Sequence, residues 1–440
     1  MMTQLAEDNL EQFLDQARQT RGAAWLRPWR QAALERLAAT GLPDTHQEEW
    51  RFTNINPIVR TRFVRPSSYS IEAAALADYT LDVGTEIVLV NGHWCRPLSR
   101  KEDGLLGVEI ASLAQALEQR RPALLRHLEQ VQAQHDGPFA DLNAASFEDG
   151  VWIHLAPGTQ LRRPIHLLIC SRAEDGRAVI THPRIVVVAE EGSSAQIIET
   201  YAPAGGDYFT NTVVEVSLGC EARLEHSKMQ QEALTAYHIG GTRVTVGKGA
   251  HYVSNSASLG SALTRNDLNV SLAGETASAS LHGLTLIGGR QHVDNHTLLE
   301  HAQPGCPSLE LYKAVLADRA SGVFKGKILV RPGAQKTDSK QTSRTLLLSD
   351  DATMNAMPAL EIYADDVKCT HGSTTGPLDE EQVFYLRSRG LHLDAARHVL
   401  TYAFAADVTG RIRTEPVRRR LEEIMAAQHG LPRDLRIAQG

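Results

Sequence analysis

From about Val151 to Gly376 the chain reads as short β-branched segments that end repeatedly in a glycine turn. WIHLAPG, IVVVAEEG, VVEVSLG, RVTVGKG and NVSLAG close on Gly158, Gly192, Gly219, Gly249 and Gly274, at steps of 34, 27, 30 and 25 residues. Further short strands follow the turns, as in SSAQIIETYA, CEARLEHSKM and AHYVSNSASL. A strand-only region of this length without helical crossovers leaves an antiparallel sandwich or a strand solenoid. The quasi-regular period and the Val-, Ala- and Ser-rich strands favour a parallel β-helix, in which small and β-branched side chains stack from coil to coil. On this pattern alone the sandwich stays open. Aromatic residues are only 5% of the 440, so the core has to be built from Val, Ile, Leu and Ala.

Both flanks read differently. Trp29, Ala33 and Leu37 recur at the spacing of one helix face, and Gly41-Leu42-Pro43 stops the pattern. EIVLVNGHW reads as a strand and turn, and Leu113 to Val131 returns to helical spacing, with Pro122 dividing it into two short helices. Beyond the strands, Asp379 can cap EEQVFYLRSR, with Gly390 at the C′ position. Ala396, Val399, Leu400 and Ala403 then mark the apolar face of an amphipathic helix, and PVRRRLEEIMAAQ forms a third. The expected layout is a mainly helical region over 1–145, the β-helix over 146–376 and a helical region over 377–440. A solenoid has open ends that pair with other chains unless covered, and flanking helices serve as caps and as docking surfaces.

Composition excludes several functions. A net charge of −7 provides no global basic field for nucleic acid. The acidic N-terminus lacks the basic and apolar regions of a signal peptide, and no window approaches a membrane span. Five scattered cysteines, Cys95, Cys170, Cys220, Cys306 and Cys369, with no CxxC, argue for a reducing compartment. The expected location is the cytoplasm. A polysaccharide-active β-helix enzyme would carry a carboxylate cluster in a groove and usually a secretion signal. No GxxxxGK[ST], GxSxG or HExxH occurs, so any nucleotide energy has to come from a partner. Asp350-Asp351 and Asp365-Asp366 read as solvated turns, because adjacent strand residues face opposite ways.

Cys369-Thr370-His371 is the metal candidate. Residues i and i+2 of an extended segment share a face, so thiolate and imidazole can converge on one borderline metal such as iron or zinc. Two ligands do not complete a tetrahedral site or hold a cluster, and the missing ones have to come from elsewhere in the chain or from a partner. The plainer alternative is a cysteine packed in a β core beside a turn histidine. The histidines His226, His238, His251, His282, His292, His296 and His301 read as scattered surface residues, Cys306 as a loop thiol, and RIRTEPVRRR as a solvated helix face.

Longer motifs add a resemblance. GVFKGKILVRPGAQKTDSKQTSRTLLLS and PALEIYADDVKCTHGSTTGPLDEEQVFYLRSRGL closely resemble the SufB/SufD family of iron–sulfur cluster assembly scaffolds, as does GLPDTHQEEWRFTNI near the N-terminus. Cys369-Thr370-His371-Gly372-Ser373 resembles the SufD branch, because the Cys-Glu-His-Glu-Ala pattern of SufB-like chains is absent. The resemblance implies a right-handed parallel β-helix flanked by helices and a non-catalytic scaffold role. It implies pairing with a SufB-like chain and docking of a SufC-like ABC ATPase on the C-terminal helices. It also implies that His371, with Cys369 beside it, ligates transient iron or a nascent iron–sulfur cluster at the SufB interface. Reduced flavin is associated with such complexes, although no flavin fingerprint occurs in this sequence. An isolated chain can pair with a second copy through the same edge.

Overall fold

The computed structural model describes residues 2–131 and 136–428. Two ten-stranded sheets face each other, and from Arg184–Ala189 onward successive strands alternate between them. Sheet I ends on Asp338–Leu347 and Lys368–Gly376, and sheet II on Ser321–Val330 and Thr353–Ile362. Pairing is parallel throughout, except where His93–Trp94 folds back on Thr85–Val90 and Val108–Ser112 on Gly150–Leu155. This is a parallel β-helix, and the sandwich is excluded. The EIVLVNGHW hairpin turns on Asn91 (φ 51) and Gly92 (φ 83), as a two-residue turn matched to strand twist requires. Thr85–Val90 lies in register beside Ile165–Cys170, so the residues before 146 contribute to the sheets as well as to the helices.

The lumen between the sheets is a stack of in-register side chains. One column in sheet II runs Ile153, Val187, Val216, Val244, Val270, Leu299 and Ile328, all buried. β-Branched side chains suit such ladders because their stiff χ1 fits the pleated surface. Leu299→Ala in this column is expected to cost about 2–5 kcal/mol. Urea denaturation measures it, and a loss well under 1 kcal/mol would contradict close packing.

The glycines do two different jobs. Along one corner the residues Gly158, Gly192, Glu221, Gly249, Thr276, Gly305 and Lys336 all have positive φ. Each donates its N–H to a carbonyl of the next coil, of Glu191, Cys220, Lys248, Glu275, Pro304, Gln335 and Asp366 in turn. Gly249, at φ +64, takes the left-handed conformation that costs glycine nothing. Gly274 lies upstream of its corner residue and is glycine for another reason, since a Cβ there would sit 2.0 Å from Lys248 N on the preceding coil. The uneven glycine steps of the sequence mix these two classes, and the corner residues are spaced more evenly.

The two flanks cover opposite sides. Helices α1 (Met2–Arg18), α2 (Arg27–Thr40), α3 (Asn56–Arg60), α4 (Leu113–Glu118), α5 (Pro122–Val131) and α6 (Pro138–Ser146) form the N-terminal cap. Trp29, Ala33 and Leu37 are buried in α2 as their spacing predicts, and Pro122 begins α5. This cap shares one apolar cluster with Trp152, Val186, Phe209 and Ile239 on the outer face of sheet II. Arg184 pins it there: Nη1 donates to Asn143 Oδ1 at 3.0 Å, Nε to Glu215 Oε2 at 3.3 Å, and the guanidinium lies over Trp29 and Phe147.

Helices α7 (Glu380–Ser388), α8 (Leu393–Thr409) and α9 (Glu415–Gln428) lie on the outer face of sheet I. Asp379 caps α7, accepting from the amides of Glu381 and Gln382, and Gly390 follows the helix at φ +96. Glu225, from the sheet, accepts the Arg413 and Thr414 amides ahead of α9, both at 3.0 Å. The face of α8 differs from expectation. Thr401, Ala405 and Val408 are buried, while Val399 and Leu400 are half-buried and Ala403 is exposed, because the helix packs on both α7 and the sheet. Of the expected C-terminal region, residues 429–440 lie outside the described residues.

Candidate metal centre at the open end

Among the described residues no helix covers the last coil. Thr353–Ile362 is half-buried and Lys368–Gly376 is mostly exposed, and each is the terminal strand of its sheet. Their outer edges therefore carry backbone donors and acceptors without a neighbouring strand. Tyr363 is 61% exposed beside this edge, and Phe384 is 71% exposed on α7.

Cys369 and His371 both lie on the terminal strand of sheet I. The turn before it is fixed by Lys336, whose amide donates to Asp366 O and whose ammonium pairs with the Asp366 carboxylate. Register then places Cys369 beside Ser339 and His371 beside Gln341. The pair shares the lumen-facing side, as i and i+2 spacing requires. Cys369 is half-buried against Ile328, Val330, Ala334 and Leu360, and burial pushes its thiol up from the usual range. A metal bound there has to displace that proton. His371 is exposed and makes no hydrogen bond or ion pair among the described residues. Among the described residues no group of three or more His, Cys, Asp or Glu could hold a metal ion, so these residues do not complete a site around the pair.

Behind the pair, the lumen changes character. The Cys369 column continues inward as Ser339, Ser308 and Ala279, and the His371 column as Gln341, Glu310 and Leu281. Ser308 and Ser339 hydroxyls bond at 2.7 Å, and His301 Nε2 reaches Ser308 at 3.0 Å. Gln341 Nε2 donates to Glu310 Oε2 at 2.7 Å. Burial pushes the Glu310 carboxyl above its usual range.

A second polar stretch lies deeper. His226 pairs with Glu199 and bonds the Tyr252 hydroxyl at 3.0 Å, and Tyr201 donates to Glu199 at 2.5 Å. Lys228 Nζ donates to His238 Nε2 at 2.9 Å and Asn266 Oδ1 at 2.8 Å, while His238 Nδ1 faces Glu232 at 2.7 Å. Burial draws the Lys228 ammonium down to about 8. The expectation of surface histidines is therefore corrected. His226, His238, His282 and His301 are buried, and His251, His292 and His296 are half-buried. Alternation places His226, His238 and His301 on the lumen side of their strands. Cys306 stands in a turn as expected, but its side chain is buried in the main core. Sequence reasoning missed Lys228, Glu199, Gln341 and Glu310. Their signal is polar residues at period two, as in Glu199-x-Tyr201 and His226-x-Lys228-x-Gln230.

Fold and site together define a helically capped, two-sheet parallel solenoid that leaves a thiol and an imidazole on its bare terminal strand. The family described as the SUF system FeS cluster assembly, SufBD core domain, matches residues 170–404, and the SufBD protein N-terminal region matches 9–167. An iron–sulfur cluster assembly SufBD family protein of Synechocystis is 32% identical over 91% of this chain and 90% of its own length. The iron–sulfur cluster assembly protein SufD of Escherichia coli is 31% identical over 90% of this chain and 91% of its own. The chain belongs to the SufB/SufD family, and its role lies in iron–sulfur cluster assembly. Among the described residues no helix is long and apolar enough to cross a membrane.

Proposed function

We propose that this chain is a non-catalytic scaffold subunit that contributes half of an iron or nascent-cluster site. The observation that carries the reading is the placement of His371 and Cys369 on the free edge of an uncovered terminal strand. A SufB-like chain would continue the sheets across that edge and supply the missing ligands, with His371 as the principal ligand on this side and Cys369 beside it. A SufC-like ABC ATPase would dock on α7–α9, where exposed Phe384 and Tyr385 offer apolar contact. In isolation, the same free edge would accept a second copy of this chain.

Co-expression with the SufB-like and SufC-like chains, followed by anaerobic reconstitution and absorption spectroscopy, tests the site. His371→Ala is expected to leave the complex intact, since the side chain is exposed, and to lower cluster formation by about tenfold or more, as loss of a metal contact does. Normal cluster formation in an intact complex would overturn the ligand role and leave a purely structural mate.

A further inference from the structure

The two lumen columns that end on Cys369 and His371 are not equally satisfied. In the first, Ser308 bonds Ser339 beside it and His301 across the lumen. In the second, the Glu310 carboxyl takes Gln341 on one side and the Thr297 hydroxyl across the lumen, while Gln341 Oε1 is buried without a hydrogen-bond partner in a residue only 2% exposed. A buried acceptor without a donor is costly, and Gln341 Oε1 asks for one. Inward the column meets Leu281, which has none to give. Outward it meets His371, in register with Gln341 on the same face and one strand spacing away.

The Gln341 amide is held in one orientation. Its Nε2 is committed to Glu310 Oε2 at 2.7 Å, which leaves Oε1 as the free end. Across the lumen Gly326 makes room for the side chain, since a Cβ there would lie 2.5 Å from Gln341 Nε2. A neutral imidazole has one donor and one acceptor nitrogen, and whichever N–H is bonded decides which lone pair is free for a metal.

We propose that Gln341 is a positioning residue for His371: the imidazole, exposed and unbonded in the structure, turns one ring N–H onto the buried Oε1, which leaves the other nitrogen facing out of the solenoid mouth. Glu310 anchors the amide that does this. A metal-ligating histidine is oriented in this way by a carbonyl or carboxylate behind it. The inference rests on His371 as an iron ligand, but it is tested without iron.

The probe is ¹⁵N NMR of the full chain with ring-labelled histidine, near pH 8. The His371 signals are assigned by their loss in His371→Ala. Wild type is expected to show one tautomer enriched by about fivefold to tenfold over exposed His46, as one net hydrogen bond provides. Gln341→Met, which keeps the length and removes the acceptor, is expected to bring the ratio to that of His46. Glu310→Met, which frees the amide, is expected to fall between them, and it carries the test if Gln341→Met misfolds. An unchanged ratio in either variant, with the His282 and His301 signals retained, overturns the proposal. So does a wild-type ratio equal to that of His46. Normal cluster formation in His371→Ala would instead remove the ligand role and leave the tautomer result standing.

Discussion

Arg265→Met is expected to destabilise the protein by about 3–5 kcal/mol, because it strands a buried carboxylate. Arg265 Nη1 donates to Asp294 Oδ2 at 3.0 Å and to Glu49 O at 2.6 Å, and Nη2 donates to Asp267 at 2.9 Å. Its guanidinium lies 3.8 Å from the centroid of Trp50. Asp294 is 1% exposed. Burial pushes its carboxyl up, but the His296 hydrogen bond and the Arg265 charge outweigh this and hold it low. Glu49 is drawn down to about 2, first by its His296 hydrogen bond, with Lys325 adding to it. The same cluster receives the Thr53 hydroxyl at Asp294 Oδ2, 2.5 Å away. The Glu48–Thr53 segment is thus a peg seated on the outer face of sheet II, and methionine preserves its packing while removing its charge partner. Urea denaturation with near-ultraviolet circular dichroism measures both the loss and the release of Trp50. A change under about 1 kcal/mol would mean that solvent already reaches Asp294.

Acidification from about pH 7.5 to about pH 5 is expected to cost about 2 kcal/mol for each of two buried histidines, at roughly 1.4 kcal/mol per pH unit below 6.5. Burial draws His282 and His301 down to about 4 from 6.5. Between those values the unfolded chain binds protons that the folded chain refuses, so stability falls as pH falls. His282 is 5% exposed beneath the C-terminal helices, with Asn255 Oδ1 3.0 Å from its Nδ1 and the charges of Arg411 and Asp407 nearby. His301 is fully buried in the lumen. His296 works in the opposite sense. Its pKa is raised because, against burial, the Asp294 and Glu49 hydrogen bonds favour the imidazolium, so its contribution is present at low pH and lost as pH rises. Denaturation midpoints across this range give the slope, and His282→Gln and His301→Gln should each flatten it. A flat profile in the wild type would refute the assignment.

Much of the architecture is legible because glycine marks the coils. What the glycines do not reveal is phase. Glu221, Thr276 and Lys336 occupy left-handed corners that any reading by glycine alone passes over. Gly219 and Gly274 mark close backbone approach instead of the corner residue itself. The face of α8 was equally hidden, since a helix gripped on two sides has no single apolar stripe. At the site, Cys369 and His371 are visible as an i, i+2 pair, because that relation is local. Glu310 and Gln341 are not visible, because their adjacency to His371 exists only once the register between coils is known. Surface placement of the histidines failed for a related reason: in a two-sheet solenoid, alternate residues face a lumen that accepts paired polar groups as well as apolar ones.

The corner ladder makes whole coils interchangeable in length but not in part. Each corner amide reaches the carbonyl one coil ahead, and each core column continues across the same step. Removing a complete coil would join ladder to ladder, while removing half would set a sheet I strand against sheet II and turn its lumen side chains outward. The body of this protein therefore grows or shrinks in quanta of one coil. Relatives of different length should differ in the core by multiples of that unit, and only the caps and the corner loops are free to vary by single residues.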